Sequence, residues 1–181
     1  PLHGTGKFPV MRSLQRAGFA NFSMVKEQAI YDPEFITVTH PNPEFPEAFD
    51  LSIQEGRRIG ADLLIATDPD ADRLGAAVRI GDDYHLLTGN QIASLLLHYI
   101  LEAKKQAGTL PADGAVIKSF VSTELADKIC ADYGVEMITV ETGFKFIGDA
   151  IAGFEQNHDH TFLFGFEESY GYLIKPFVRD K

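Results

Sequence analysis

Asp62-Leu63-Leu64-Ile65-Ala66-Thr67-Asp68-Pro69-Asp70-Ala71-Asp72-Arg73 is the stretch on which the fold turns. Its first half is a short apolar run bounded by polar residues, which is the pattern of a buried strand. Its second half is an acidic loop. Leu74 to Ile80 reads as another strand, and Gly81-Asp82-Asp83 turns it back on Tyr84 to Leu87. Upstream, Val10, Met11, Leu14 and Ala17 have helical spacing, with Pro9 suited to a first turn, so Phe8 to Phe19 reads as a helix. Pro46 to Ala61 reads as a second helix, with Phe49, Ile53 and Ile59 on its apolar side.

Downstream the alternation continues. Gly89 to Gln106 carries Ile92, Leu95, Leu96, Tyr99 and Ile100 in helical register, and Ala115 to Phe120 reads as a strand. Ser122 or Thr123 suits the cap of a helix running to Tyr133, closed by Gly134. Val135 to Val140 is a strand, Phe144 to Phe154 a short helix and Thr161 to Phe164 a strand. Alternating strands and helices imply an α/β fold, here two tandem three-layer α/β domains with mixed, mostly parallel sheets. The boundary falls at Leu86–Gly89, giving domains 1–86 and 87–181. In such sheets ligands bind beyond the carboxyl ends of strands, which directs attention to the loops after Ala66, Val140 and Phe164.

Composition narrows the function. The 181 residues carry a formal charge of −10, and each of the two halves holds 8 basic and 13 acidic residues. The absence of a basic patch argues against nucleic acid or an anionic membrane as partner. A hydrophobic share of 45% is enough for a real core, and no run approaches the roughly 20 apolar residues of a membrane span. A single cysteine fits a reducing, cytoplasmic compartment. Pro at position 1 and an abrupt finish at Val178-Arg179-Asp180-Lys181 read as a piece of a longer protein.

Within the acidic loop, Asp68, Asp70 and Asp72 alternate over five residues. On a curved loop their side chains can converge, and without a cation they would repel. Hard oxygen ligands suit Mg²⁺ or Mn²⁺, and Arg73 adds a planar donor fork suited to phosphate. An EF-hand counted from Asp68 fails, because Arg73 and Arg79 stand where Gly and Glu are needed. A phosphatase of the haloacid-dehalogenase type, with Asp68 as nucleophile, is a weak match because Asp72 occupies the Thr/Val position. A non-catalytic cation or sugar-phosphate binding module and a plain solvated turn are the other readings.

The loop resembles the magnesium loop of the α-D-phosphohexomutase superfamily, Asp-Gly/Pro-Asp-Ala/Gly-Asp-Arg, found in the second domain of those four-domain enzymes. They move a phosphoryl group between the 1- and 6-positions of a hexose. The resemblance implies that Asp68, Asp70 and Asp72 bind Mg²⁺ and that Arg73 contacts the catalytic phosphoserine. It spans essentially the whole chain, as domains two and three, and implies a hexose phosphate substrate with glucose 1,6-bisphosphate as intermediate or activator.

Further segments fit. Phe164-Gly165-Phe166-Glu167-Glu168-Ser169-Tyr170-Gly171 offers carboxylates and a hydroxyl to neighbouring sugar hydroxyls. It resembles the family's sugar loop, although Phe166 separates Gly165 from the acids. The resemblance assigns Glu167 and Ser169 to the sugar 3- and 4-hydroxyls, with Glu168 pointing elsewhere. In Thr142-Gly143-Phe144-Lys145, Thr142 suits a helix cap and the amides beyond it an anion; it resembles the segment that distinguishes two substrate orientations, implicating Thr142 and Gly143. Arg179-Asp180-Lys181 resembles a stretch whose Lys, here Lys181, meets substrate. Pro1-Leu2-His3-Gly4-Thr5-Gly6 resembles the start of the second domain and reads as a tight turn, not a Walker A loop.

The family's nucleophilic serine sits in a Thr-Ala-Ser-His-Asn-Pro loop of domain one. Thr37-Val38-Thr39-His40-Pro41 resembles it only superficially, with Thr39 in the serine's place, and Pro41-Asn42-Pro43-Glu44 reads as structural. Domains one and four would be partners from the same enzyme, and the chain alone is expected to be inactive. Cys130 reads as a core residue, and His158 and His160 lack a third ligand.

Overall fold

A computed structural model describes residues 1–178, so Lys181, the proposed substrate lysine, lies outside the described residues together with Arg179 and Asp180. The chain forms two compact units, Pro1–Leu87 and Thr88 onward.

In the first unit, α1 (Lys7–Arg16) and α2 (Asp50–Ile59) accompany a sheet of β1 (Leu63–Thr67), β2 (Leu74–Ile80) and β3 (Asp83–Leu86). Its core gathers Leu2, Ala48, Phe49, Leu64, Ala66 and Ala77. Pro46–Phe49 is a 3₁₀ turn leading into α2. Gly56 lets that helix press on the sheet, since a Cβ there would come within 2.8 Å of Leu64 Cδ2 and Tyr84 Oη. Gly60 closes the helix at φ +71°.

The mostly parallel pairing expected from the sequence does not hold in this sheet. β1 pairs with β2 and β2 with β3, both antiparallel. The physical reason lies in the connections: Asp68–Arg73 and Gly81–Asp82 are too short for the dozen or so residues that a parallel crossover needs. Parallel pairing is confined to the second unit, and the chain as a whole carries mixed sheets.

There, β4 (Gly114–Ser119), β5 (Glu136–Val140), β6 (Thr161–Phe166) and β7 (Tyr172–Leu173) lie in the order β5-β4-β6-β7. β4 is parallel to both neighbours, and only β7 runs against β6. Every residue of β4 is buried, as a central strand covered on both faces should be. Val116 packs with Ala93, Leu97 and Leu101 of α3 (Gly89–Gln106) and with Ala126 and Cys130 of α4 (Leu125–Tyr133). Ala115 and Ile117 pack on the other face with Phe144, Ile147, Ile151 and Phe154 of α5 (Phe144–Asn157). This is a three-layer α/β/α arrangement. Burial pushes the Cys130 thiol up to about 12, which makes it an inert core residue.

Thr88 caps α3 in a capping box with Gln91, a pattern that fixes the helix start. Thr123 Oγ1 accepts from Leu125 N–H at 3.2 Å, and Gly134 ends α4 at φ +67°. The cap expected of Thr142 is not formed. Gly143 is the N-cap of α5, at φ +124° and with no side-chain cap; in the first turn Phe146 N–H returns to Gly143 O at 2.9 Å.

Candidate active site

The acidic loop joins β1 to β2 as the tip of an antiparallel hairpin, so both its ends are pinned by the ladder. Thr67 pairs with Leu74. Ala71 adopts φ +65°, a left-handed turn uncommon for a residue with a side chain, and Ala71 N–H reaches Asp68 O at 3.1 Å. One carboxylate oxygen from each of Asp68, Asp70 and Asp72 lies within 4.8 Å of the others. Asp68 is buried, Asp72 intermediate and Asp70 exposed. The set is graded from the interior outward, and it is the one group of this kind among the described residues.

Arg73 completes the loop. Its backbone N–H donates to Asp68 Oδ1 at 3.0 Å, and its Nη1 donates to Glu44 Oε1 at 2.9 Å. Nε lies 3.9 Å from both Asp68 Oδ2 and Asp72 Oδ1. Three carboxylates, Glu44, Asp68 and Asp72, thus lie around one guanidinium, an excess of negative charge that suits a divalent cation. The donor set is all oxygen, which fits Mg²⁺ rather than a soft metal.

The opening residues support this loop in a way that local sequence patterns do not show. Thr5 N–H donates to Pro69 O at 2.8 Å. A Cβ on Gly4 would overlap the Pro69 backbone, and one on Gly6 would overlap Thr67 Oγ1. His3 is buried, with Nδ1 2.8 Å from Ile30 O and Nε2 2.7 Å from Thr37 Oγ1. Glu44, read from sequence as structural, is a partner of Arg73. The two glycines of Gly4-Thr5-Gly6 were the one available signal of a close approach.

In the second unit, β6 delivers Glu167 and Glu168 to a turn in which Tyr170 has φ +66° and Glu167 N–H returns to Gly171 O at 3.0 Å. Adjacent side chains leave in opposite directions. Glu167, only 3% exposed, accepts from Gly143 N–H at 2.7 Å. It thereby ties the Glu167–Ser169 turn to Thr142-Gly143 through the N–H of the N-cap residue itself, without capping α5. Glu168 Oε2 accepts from Ser119 Oγ at 3.0 Å, and Ser122 Oγ lies 2.7 Å from Ser119 Oγ. Each hydroxyl has one proton, so a relay from Ser122 to Ser119 to Glu168 satisfies all three groups. Gly89 is required here because a Cβ would overlap Glu168 O. Ser119→Ala is expected to cost about 1–3 kcal/mol of stability by stripping a donor from the half-buried Glu168 carboxylate. Urea unfolding of the chain measures it, and an unchanged midpoint contradicts the relay.

His158 and His160 hold no metal arrangement among the described residues. His158 ends α5 at φ +53°. His160 Nε2 sits 3.0 Å from Glu136 Oε2, and its ring lies 4.8 Å from that of Phe154.

Comparison with known proteins decides the family. The model of phosphoglucomutase/phosphomannomutase alpha/beta/alpha domain II matches residues 1–81, and that of domain III matches residues 88–181. The chain belongs to the phosphoglucomutase/phosphomannomutase family. It is 43% identical over 182 residues to the phosphoglucomutase of Staphylococcus haemolyticus, covering 99% of this chain and 32% of that protein. The chain therefore spans about a third of the length of the curated relatives it matches. A phosphoglucomutase/phosphomannomutase family protein from Burkholderia thailandensis shares the fold, with TM-score 0.72 and 19% identity over 97% of this chain and 34% of the other. So does N-acetylphosphoglucosamine mutase from Aspergillus fumigatus, solved with GlcNAc-6P and magnesium, at TM-score 0.62 and 17% identity over 94% and 34%.

Proposed function

We propose that this chain is the metal- and sugar-binding centre of a magnesium-dependent mutase. The intact enzyme interconverts hexose 1-phosphate and hexose 6-phosphate through a phosphoserine and a bisphosphate, glucose 1,6-bisphosphate where the sugar is glucose. The observation that carries this reading is the convergence of Asp68, Asp70 and Asp72 within 4.8 Å on a pinned hairpin tip. The name of the Staphylococcus relative and the magnesium in the Aspergillus mutase complex support it.

In this reading Asp68, Asp70 and Asp72 hold Mg²⁺. The ion supplies neutralisation of charge on phosphoryl oxygens. Arg73 turns its fork from Glu44 to the phosphoserine phosphate. Glu167 and Ser169 receive the sugar 3- and 4-hydroxyls, Glu167 being aimed by Gly143 N–H. Thr142 and Gly143 line the same end of the sheet and read the orientation of the substrate, and Lys181 adds a cation. The nucleophilic serine and the site for the distal phosphate come from domains one and four of the same enzyme, which acts in the cytoplasm.

The test compares the full-length enzyme with residues 1–181. The full-length enzyme is expected to isomerise glucose 1-phosphate and residues 1–181 to show no turnover. Turnover by the shorter chain refutes the missing nucleophile, and phosphate release lost on Asp68→Asn points to a phosphatase.

A pH dependence follows from Asp68. Burial first, then Asp72 and Asp70 beside it, push its carboxyl from 3.8 up to about 7, against the pull of the Arg73 N–H. The folded metal-free chain therefore keeps a proton that the unfolded chain has released. This contribution to stability is full below about pH 4 and is lost as pH rises toward about 7. Mg²⁺ competes with that proton, so its apparent affinity weakens below about pH 7. Calorimetric titration at pH 6 in buffers of different ionisation enthalpy is expected to show proton release; none argues against Asp68 as ligand.

A further inference from the structure

We propose that Glu168 is a positioning residue for the sugar: its carboxylate, held by Ser119 and Ser122, sets the turn so that the residues on either side of it, Glu167 and Ser169, meet the hydroxyls. This role rests on the reading of Glu167 and Ser169 as sugar contacts. The arrangement starts in the sequence of β6. Side chains alternate along a strand. Phe164 and Phe166 pack on the side of α3 and α4, and Gly165 lies against Ile147 of α5. Carried past the end of the strand, the same alternation sends Glu167 to the α5 side, where Gly143 N–H donates to it. Glu168 goes to the other side, where Ser119 Oγ donates to it.

The partners of Glu168 are themselves held. Ser119 and Ser122 are both buried, and their hydroxyls lie 3.0 Å and 3.4 Å from Glu168 Oε2. Lys118, buried near the end of β4, donates from Nζ to Thr123 O at 3.1 Å and to the Asp127 carboxylate. Thr123 N–H donates to Asn90 Oδ1 of α3 at 3.0 Å. The loop that carries Ser122 is thus tied to β4, α3 and α4 at once. A buried ion pair adds little net stability; what Lys118 and Asp127 fix is the shape of this loop. Satisfied polar networks of this kind hold one geometry.

The turn needs such an anchor. Tyr170 sits at φ +66°, a strained conformation for a residue with a side chain, which persists only where the surroundings hold it. Glu167 N–H returns to Gly171 O across the turn, and Tyr172 Oη donates to Gly89 O at 3.2 Å. The Glu168 side chain ties the same turn to β4. A slip of about 1 Å there would misplace both neighbouring side chains against a sugar ring. Position rather than charge is what the carboxylate supplies. Both its serine donors are neutral hydroxyls, and an amide oxygen would accept from them as well.

The test compares two sugars in the full-length enzyme. kcat/KM is measured for glucose 1-phosphate and for its 4-epimer, galactose 1-phosphate, in the wild type, Glu168→Ala and Glu168→Gln. The ratio of the two values does not depend on how much of a variant is folded. Glu168→Ala is expected to lower the ratio about tenfold, because the loss falls on the sugar whose 4-hydroxyl fits the turn. Glu168→Gln should stay within about twofold of the wild-type ratio, since its amide oxygen still accepts from Ser119. An unchanged ratio in Glu168→Ala overturns the role and leaves the network structural only. So does a Glu168→Gln enzyme as indiscriminate as Glu168→Ala, because charge and not position would then be at work. Failure of the sugar-contact reading shows in the wild type instead: an enzyme that does not isomerise glucose 1-phosphate, or that treats the two epimers alike, overturns both.

Discussion

Asp70→Asn in the full-length enzyme is expected to lower kcat about 1000-fold at saturating Mg²⁺, equivalent to about 4 kcal/mol of lost transition-state stabilisation. The substitution keeps the size of the side chain and removes one of three charges that converge within 4.8 Å. Asp70 is the exposed member of the set, so folding should be untouched and the whole effect should fall on the chemistry. A coupled assay from glucose 1-phosphate, run beside thermal denaturation, separates the two. An unchanged kcat removes the metal role from the loop. A fall in melting temperature matching the loss of activity would instead make Asp70 structural.

The second large effect comes from outside the loop. Gly4→Ala is expected to weaken Mg²⁺ binding at least about tenfold and to cost about 1–3 kcal/mol of stability, the usual range for overpacking. The new methyl group would overlap the Pro69 backbone, and Pro69 stands between Asp68 and Asp70. Backbone cannot swing aside as a flexible side chain can, so the two carboxylates must move with it. Gly153→Ala is the control. It lies in α5 with open space around its Cβ, and it should be neutral or stabilising by up to about 1 kcal/mol. Equal metal affinity in the two variants would show that the opening residues do not brace the site.

The acidic loop was legible because its chemistry is local: three carboxylates and an arginine within six residues. The same holds for the long helix Gly89–Gln106, the glycine stop at Gly134 and the strand Leu74–Ile80, where periodicity and caps agree. What escaped were pairings between distant positions. Gly4 meets Pro69, Glu44 meets Arg73, and Glu167 meets Gly143. None of these leaves a periodic trace. In the first sheet the reversal at Gly81-Asp82-Asp83 was read from the sequence, but the antiparallel pairing of β1 with β2 was missed, for a different reason. Asp68–Arg73 looked like a ligand loop, and its shortness, which forbids a parallel crossover, carried the topological information.

Cys130 has a practical consequence. It is the sequence's one cysteine, and its thiol is buried and pushed up to about 12. Thiol reagents at neutral pH should pass it by, so a second cysteine placed on the exposed turn, as in Asp82→Cys, becomes the single reactive handle. A dye or spin label attached there would follow the first unit without any native residue of the core being replaced.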